Sequence, residues 1–190
     1  MATFTARYGE ALSLASRAHQ GQFRKGTTIP YIYHPVAVSA LVIEHGGDED
    51  QAIAGLLHDV LEDADPGFGI EIRERFGDAI YGMVADLTDG STDRETRAQI
   101  SWQDRKEAYL EHLRHVSDRV LLVSVCDKLH NALAIAGDYL EVGEAVFERF
   151  SQPKPKTVWY YQSLYQIFAE RDSETSRVST RLRRAINAWA

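Results

Sequence analysis

Residues 52–63 read Ala52-Ile53-Ala54-Gly55-Leu56-Leu57-His58-Asp59-Val60-Leu61-Glu62-Asp63. Taken as a helix through Glu62, the run sets Ile53, Leu56, Leu57, Val60 and Leu61 on a wide core-facing stripe, with His58 and Asp59 at its edge. Glu62 then falls four residues after His58, and Asp63 four after Asp59, so an imidazole and three carboxylates share one side of about one and a half turns. Proton- and metal-handling groups set into an apolar run make a site rather than a solvated face. Adjacent His and Asp are common by chance, but here they have company. His34 lies upstream behind Tyr31-Ile32-Tyr33, and Asp127 lies downstream in Cys126-Asp127-Lys128-Leu129-His130-Asn131.

Working outward, every segment with a period reads as helix. Phe4, Tyr8, Leu12, Ala15 and His19 predict a first helix over about 5–20, ended by Gly21. Residues 22–31, with Arg24-Lys25, Gly26, two threonines and Pro30, read as an irregular loop. His34-Pro35 opens a second helix that Gly46-Gly47 stops. Asp48 with Gln51 three residues later is a capping-box pattern for the helix that delivers His58 to Asp63. After Pro66-Gly67 come a short helix ending at Gly77 and another through Leu87. Residues 88–100 are polar, loop-like and the expected mobile stretch. Residues 102–113 form an amphipathic helix, and Ser117 or Asp118 caps a long one through Ile135, for which a strand over 120–125 is the competing local reading. A short helix over 142–150, a break at 151–156, an aromatic helix from Thr157 and a last one after Asp172-Ser173 complete the chain. No segment shows the strict alternation of a half-buried strand, so the expected class is all-α, with a core over about 5–135 and a C-terminal helical extension over about 140–190 in one domain.

Composition narrows the function classes. The 190 residues are 44% hydrophobic and 26% charged, an ordinary globular balance, and leave room for no second catalytic domain. With 28 acidic and 21 basic residues the net charge is −7, which argues against general binding to nucleic acid or to an anionic membrane. A lone cysteine, Cys126, excludes a disulfide framework and a thiolate zinc site and fits a cytoplasmic protein. The N-terminus has no signal pattern, and no run reads as a membrane span. Oligomeric state is not legible.

His34, His58, Asp59 and Asp127 are the candidate metal ligands. Two imidazoles and two carboxylates without thiolate suit Mn²⁺ or Fe²⁺, with Zn²⁺, Co²⁺ or Ni²⁺ as alternatives. Such a metal lowers the pKa of bound water and polarises phosphoryl oxygens, and Glu62 and Asp63 are the candidates to orient or deprotonate that water. Arg24-Lys25 and Arg105-Lys106 are either solvated surface charges or the cations that a phosphorylated substrate needs beside so many carboxylates. Lys128 and Asn131 flank Asp127 on its helix and can reach the same ligand. His19 and His130 are expected to be buried or to support a ligand, and His45, His112 and His115 to lie outside the site.

These residues carry a resemblance. His34, His58-Asp59 and Asp127 match the H…HD…D pattern of the HD-domain metal-dependent phosphohydrolases. The wider run of motifs resembles the hydrolase domain of the Rel/SpoT family and its stand-alone form, the small alarmone hydrolases. It comprises Ala18-His19-Gln20-Gly21-Gln22-Phe23-Arg24-Lys25, Pro30-Tyr31-Ile32-Tyr33-His34-Pro35, Gly55-Leu56-Leu57-His58-Asp59-Val60-Leu61-Glu62-Asp63, Phe76-Gly77, Leu87-Thr88-Asp89 and Asp127-Lys128-Leu129-His130-Asn131.

The resemblance implies a helical HD fold and Mn²⁺ at His34, His58, Asp59 and Asp127. It implies hydrolysis of the 3′-diphosphate of a hyperphosphorylated guanosine nucleotide such as ppGpp, with release of pyrophosphate. Glu62 and Asp63 then match the acidic pair that activates water, Arg24 and Lys25 the basic pair near base and ribose, and Asn131 a ribose contact. Arg105 and Lys106 are expected at the 5′-phosphates. Two departures, a loop from Arg24 to His34 one residue longer than expected and Ala134 where the family often has a hydroxyl, leave guanine or adenine open as the base. The rivals are an adenine-alarmone hydrolase, an NADPH 2′-phosphatase or other nucleotide phosphatase, and a nucleotide sensor that has lost turnover.

Overall fold

Four of the helices begin where a polar side chain accepts from a free amide of the first turn. Thr5 Oγ1 accepts from the Arg7 amide to start α1 (Ala6–Ala18). Asp48 and Gln51 form a reciprocal capping box at the head of α3 (Glu49–Leu57), which follows α2 (Tyr33–Glu44). Ser101 caps α7 (Trp102–Leu113) and Ser117 caps α8 (Asp118–Val142). Between α3 and α7 lie α4 (Val60–Asp63), α5 (Gly67–Leu87) and α6 (Arg94–Gln99). A 3₁₀ turn (Gly143–Arg149), α9 (Lys154–Glu170) and α10 (Ser176–Asn187) follow. The computed structural model describes residues 3–90, 94–171 and 176–190. Among these there is no strand, only an isolated bridge between Phe23 and Pro30 that pinches the loop after α1. The protein is all-α.

Three expectations need correction. The helix predicted through residues 52–62 stops at Leu57 and restarts at Val60. His58 Nδ1 lies 2.9 Å from the Gly55 carbonyl, the acceptor that a continuing helix reserves for the Asp59 amide, so the imidazole competes with the ladder. Asp59 relaxes to φ −92°, ψ −4° and a new turn begins. The stretch expected to be loop over 88–100 contains α6, while Ser91, Thr92 and Asp93 lie outside the described residues, as do Asp172 and Ser173. The long helix runs past Ile135 to Val142. Gly77, at φ +86°, splits α5 into the two helical pieces that the sequence predicts, a conformation that a side chain resists.

One hydrophobic core runs from Ala11 to Trp189. Leu14, Ile53, Leu56, Leu57, Leu121 and Leu129 are at most 1% exposed, each worth about 1.5–3 kcal/mol of burial. Residues 118–149 include a window apolar enough to cross a membrane, but 67% of it is buried in the bundle, so α8 is a core helix. α2, α3, α5 and α10 pack around it. Trp189 closes α10 onto α8, its indole N–H donating to the Ala132 carbonyl at 3.2 Å and its ring standing edge-on to Tyr161.

Candidate metal centre and cleft

Three pieces of backbone converge on one buried point. His34 sits in the first turn of α2 with Pro35 behind it, His58 and Asp59 occupy the break between α3 and α4, and Asp127 lies midway along α8. His34 and His58 are 1% and 3% exposed. Their Nε2 atoms face each other at 3.2 Å. Asp59 Oδ2 is 3.4 Å from His34 Nε2 and 3.1 Å from His58 Nε2, and Asp127 Oδ1 is 3.1 and 3.6 Å from the same two atoms. Donor atoms from His34, His58 and Asp59 lie within 4.8 Å of one another.

The hydrogen bonds behind these groups decide what they can bind. With its Nδ1–H given to the Gly55 carbonyl, a neutral His58 turns a lone pair inward from Nε2. His34 Nδ1 is 2.7 Å from His130 Nδ1; when His34 donates there, its Nε2 also presents a lone pair. With both imidazoles neutral, two nitrogen lone pairs and two carboxylate oxygens point at one another, and a positive charge is needed between them, as a proton on His58 or as a bound cation. Such a set fits a divalent cation.

The titration of the groups reflects the same crowding. Burial opposes a charge on His58, but Asp59 and Asp127 outweigh it and push the imidazole well above its usual value. Burial wins at His34, which is lowered. Asp59 and Asp127 are held below the ordinary carboxylate range despite burial, by His58 in the first case and by Lys128 with the two imidazoles in the second. His130 is pushed down to about 3 by burial, His34 and Arg24, so it stays neutral.

The carboxylates are oriented from outside. The Tyr31 hydroxyl donates to Asp59 Oδ2 at 2.7 Å, and Asn131 Nδ2 to Asp127 Oδ1 at 2.7 Å. Lys128 Nζ donates to Asp127 Oδ2 at 2.6 Å. Arg24, on the pinched loop, reaches across to Asn131 Oδ1 at 2.8 Å. Buried Tyr31 has its hydroxyl pKa raised by burial and by the Asp59 and Asp63 charges, so it remains a donor. His19 packs against the Tyr31 ring, tilted by 43° at 4.9 Å between centroids.

A cleft of about 550 Å³ opens beside this cluster, walled by the loop after α1, by α8, by the 3₁₀ turn and by α9. Arg24, Lys25, Lys106, Lys128 and Asn131 all line it. Glu62 and Asp63 follow on α4, the first half-buried and the second exposed, and Glu62 acts electrostatically on Lys106. Arg105 is not brought there. Its guanidinium pairs with Asp89 Oδ2 at 3.1 Å, the carboxylate oxygen that Lys106 also holds, so it neighbours the lining without belonging to it. Lys106 shares Asp89 and lies over the Tyr160 ring at 4.7 Å.

Several residues of the site were not singled out by the sequence. Tyr31 stood inside a quoted motif without a role, and its place directly after Pro30 and three residues before His34 was the available signal. Tyr160, Asp138 and Arg149 come from segments with no pattern linking them to His58, and only the fold assembles them.

Comparison with known proteins agrees with this architecture. The HD domain family profile matches residues 11–172. Over 125 residues the chain is 36% identical to guanosine-3′,5′-bis(diphosphate) 3′-pyrophosphohydrolase MESH1 of Xenopus tropicalis, covering 64% of this chain and 65% of that protein. It is 36% identical over 131 residues to the bifunctional (p)ppGpp synthase/hydrolase SpoT of Escherichia coli, covering 66% of this chain and 17% of SpoT. The chain thus matches just under two thirds of the first relative's length and a small part of the second's. A solved structure described as a metazoan ortholog of SpoT that hydrolyzes ppGpp superposes with a TM-score of 0.76 at 24% identity, covering 98% and 97% of the two chains. A crystal structure from Listeria monocytogenes superposes at 0.71 and 26% identity, covering 81% and 96%.

Proposed function

This chain belongs to the HD-domain family, and from that premise we propose that it hydrolyses the 3′-diphosphate of ppGpp-type nucleotides, releasing pyrophosphate, with Mn²⁺ held by His34, His58, Asp59 and Asp127. The observation that carries the reading is the convergence of two imidazoles and two carboxylates at the side of a nucleotide-sized cleft lined by Arg24, Lys25, Lys106 and Lys128. The activities for which the MESH1 and SpoT relatives are named support the same choice.

When bound, the metal supplies a Lewis acid that acidifies water and polarises a phosphoryl oxygen. The chain's own residues do the rest. Tyr31, Asn131 and Lys128 fix the carboxylates of Asp59 and Asp127, so little reorganisation accompanies reaction. Glu62 and Asp63, one turn beyond Asp59, take the proton of the attacking water. The water oxygen bonds to the phosphorus next to the ribose, the bond from that phosphorus to the ribose 3′-oxygen breaks, and a proton returns to that oxygen. Lys106 and Lys128 offset charge on the diphosphate as it leaves, and Arg24 with Asn131 holds the ribose side. The lone cysteine, buried in α8, supports a reducing cytoplasmic setting.

The test is pyrophosphate release from ppGpp and ppApp in parallel, with and without Mn²⁺, for the wild-type chain and Asp59→Ala. Metal-dependent release that Asp59→Ala abolishes is the expected result. No release from either nucleotide would overturn the reading, and hydrolysis of NADPH or a nucleoside monophosphate in its place would reassign the substrate.

A further inference from the structure

α8 carries a row of cleft-facing residues at regular intervals. Asn131, Ala134, Asp138 and Glu141 all line the cleft, four, seven, eleven and fourteen residues beyond Asp127. At a rise of 1.5 Å per residue, Asp138 lies about 16 Å along the axis from Asp127. The Asp138 carboxylate is ion-paired with the Arg149 guanidinium from the 3₁₀ turn. Arg149 is itself confined on its other side: a Cβ at Gly26, whose φ is +72°, would come within 2.8 Å of Arg149 Cδ. The loop that carries Arg24, the helix that carries Asp127 and the 3₁₀ turn therefore meet at one carboxylate beside one guanidinium, at the end of the cleft away from the metal centre.

Resting on the hydrolase reading above, we propose that Asp138, held by Arg149, reads the base of the nucleotide and selects guanine. From the ribose 3′-phosphorus to the N1 and N2 edge of guanine the path crosses about eight covalent bonds, a span on the order of 10 Å. A hydrogen bond of about 3 Å at the base end, and the place of the ion between Asp127 and the phosphate at the other, extend this to about the 16 Å that separates Asp127 and Asp138 along α8. Guanine presents two adjacent donors, N1–H and N2–H, to a carboxylate, and its O6 to a neighbouring guanidinium. Adenine in the same position turns the N1 lone pair toward the carboxylate and has no amine at C2, leaving Asp138 unpaired. A site built to hydrogen-bond one edge rejects the analogue that lacks it far better than an apolar pocket does. Ala134, between Asn131 and Asp138, leaves room for the ring to lie along the helix.

The experiment is equilibrium binding of GDP, inosine diphosphate and ADP to the Mn²⁺-loaded protein, for wild type, Asp138→Asn and Arg149→Gln, run beside ppGpp turnover. The wild-type chain is expected to bind GDP roughly ten- to hundredfold more tightly than ADP, with inosine diphosphate, which lacks the 2-amino group, in between. Asp138→Asn brings GDP and ADP to within about threefold of one another, and Arg149→Gln narrows the gap part of the way. Equal wild-type affinities, or a preference that Asp138→Asn leaves intact, would overturn the proposal. Should Asp138→Asn melt early, Arg149→Gln decides on the same criterion. A GDP preference that depends on Asp138 without any ppGpp turnover sinks the hydrolase reading and leaves the base reading standing. Turnover without an Asp138-dependent preference does the reverse.

Discussion

Gly55 offers a test of how tightly packing and chemistry are tied together. It is buried on α3 where that helix crosses α2, and a Cβ there would sit 3.2 Å from Ser39 Cα and 3.3 Å from Ser39 N. Ordinary carbon contacts begin near 3.5 Å, so Gly55→Ala must push the two helices apart by about 0.3 Å, against backbone that cannot rotate away. Overpacking of this kind costs about 2 kcal/mol, offset by about 1 kcal/mol because Ala is the better helix former. The net loss of about 1 kcal/mol lowers Tm by about 2–4 °C in a chain of this size. The displacement also falls on the metal centre, because His34 rides on α2 and His58 follows α3, with their Nε2 atoms 3.2 Å apart. If a 1 Å misplacement costs about a hundredfold in rate, 0.3 Å costs about fourfold. Thermal melting followed by circular dichroism, together with pyrophosphate release from ppGpp, reads both effects. A Tm that rises by 2–4 °C with turnover unchanged would show the helix gain acting alone and refute the claimed tightness of the crossing.

Two further outcomes follow from the surroundings of the site. His130→Ala removes the acceptor behind His34 and is expected to weaken Mn²⁺ binding by about ten- to a hundredfold, measured by calorimetry, whereas an unchanged affinity would leave His130 a packing residue. Asp89 is buried, yet Lys106, Arg105 and Lys128 hold its carboxyl below the usual range, so its stabilising contribution is full above its unfolded pKa and is lost as pH falls through the folded one. Asp89→Asn should therefore lose about 3 kcal/mol at neutral pH, a gap to wild type that closes as denaturant melts are taken below about pH 4. A gap independent of pH would contradict that linkage.

Most of the fold was legible because local chemistry and global packing agree in this chain. Asp48 with Gln51, Ser117 and Gly77 each mark an element boundary that a short window contains. The break at His58 was not legible, because it depends on which way an imidazole turns: toward solvent the helix continues, toward the Gly55 carbonyl it stops. The pairing of Arg105 was not legible for a related reason. Adjacent cations on one helix read alike in sequence, and both turn to the Asp89 carboxylate, with Lys106 the one of the two that lines the cleft. Asp138 and Arg149 were invisible, since a carboxylate at the tail of an amphipathic helix and an arginine in a short turn look like surface until the Arg24 loop folds over them.

The closure of α8 by α10 bears on the order in which the protein acquires its properties. A nascent chain that has emerged through α8 already contains His34, His58, Asp59 and Asp127, but the side of α8 that α10 covers, with the Ala132 carbonyl on it, still faces water until α10 and Trp189 arrive. Translation therefore delivers all four side chains of the metal centre well before it delivers the helix that holds one of them in place. During synthesis the half-made protein has these residues on an unsecured scaffold until α10 docks on α8.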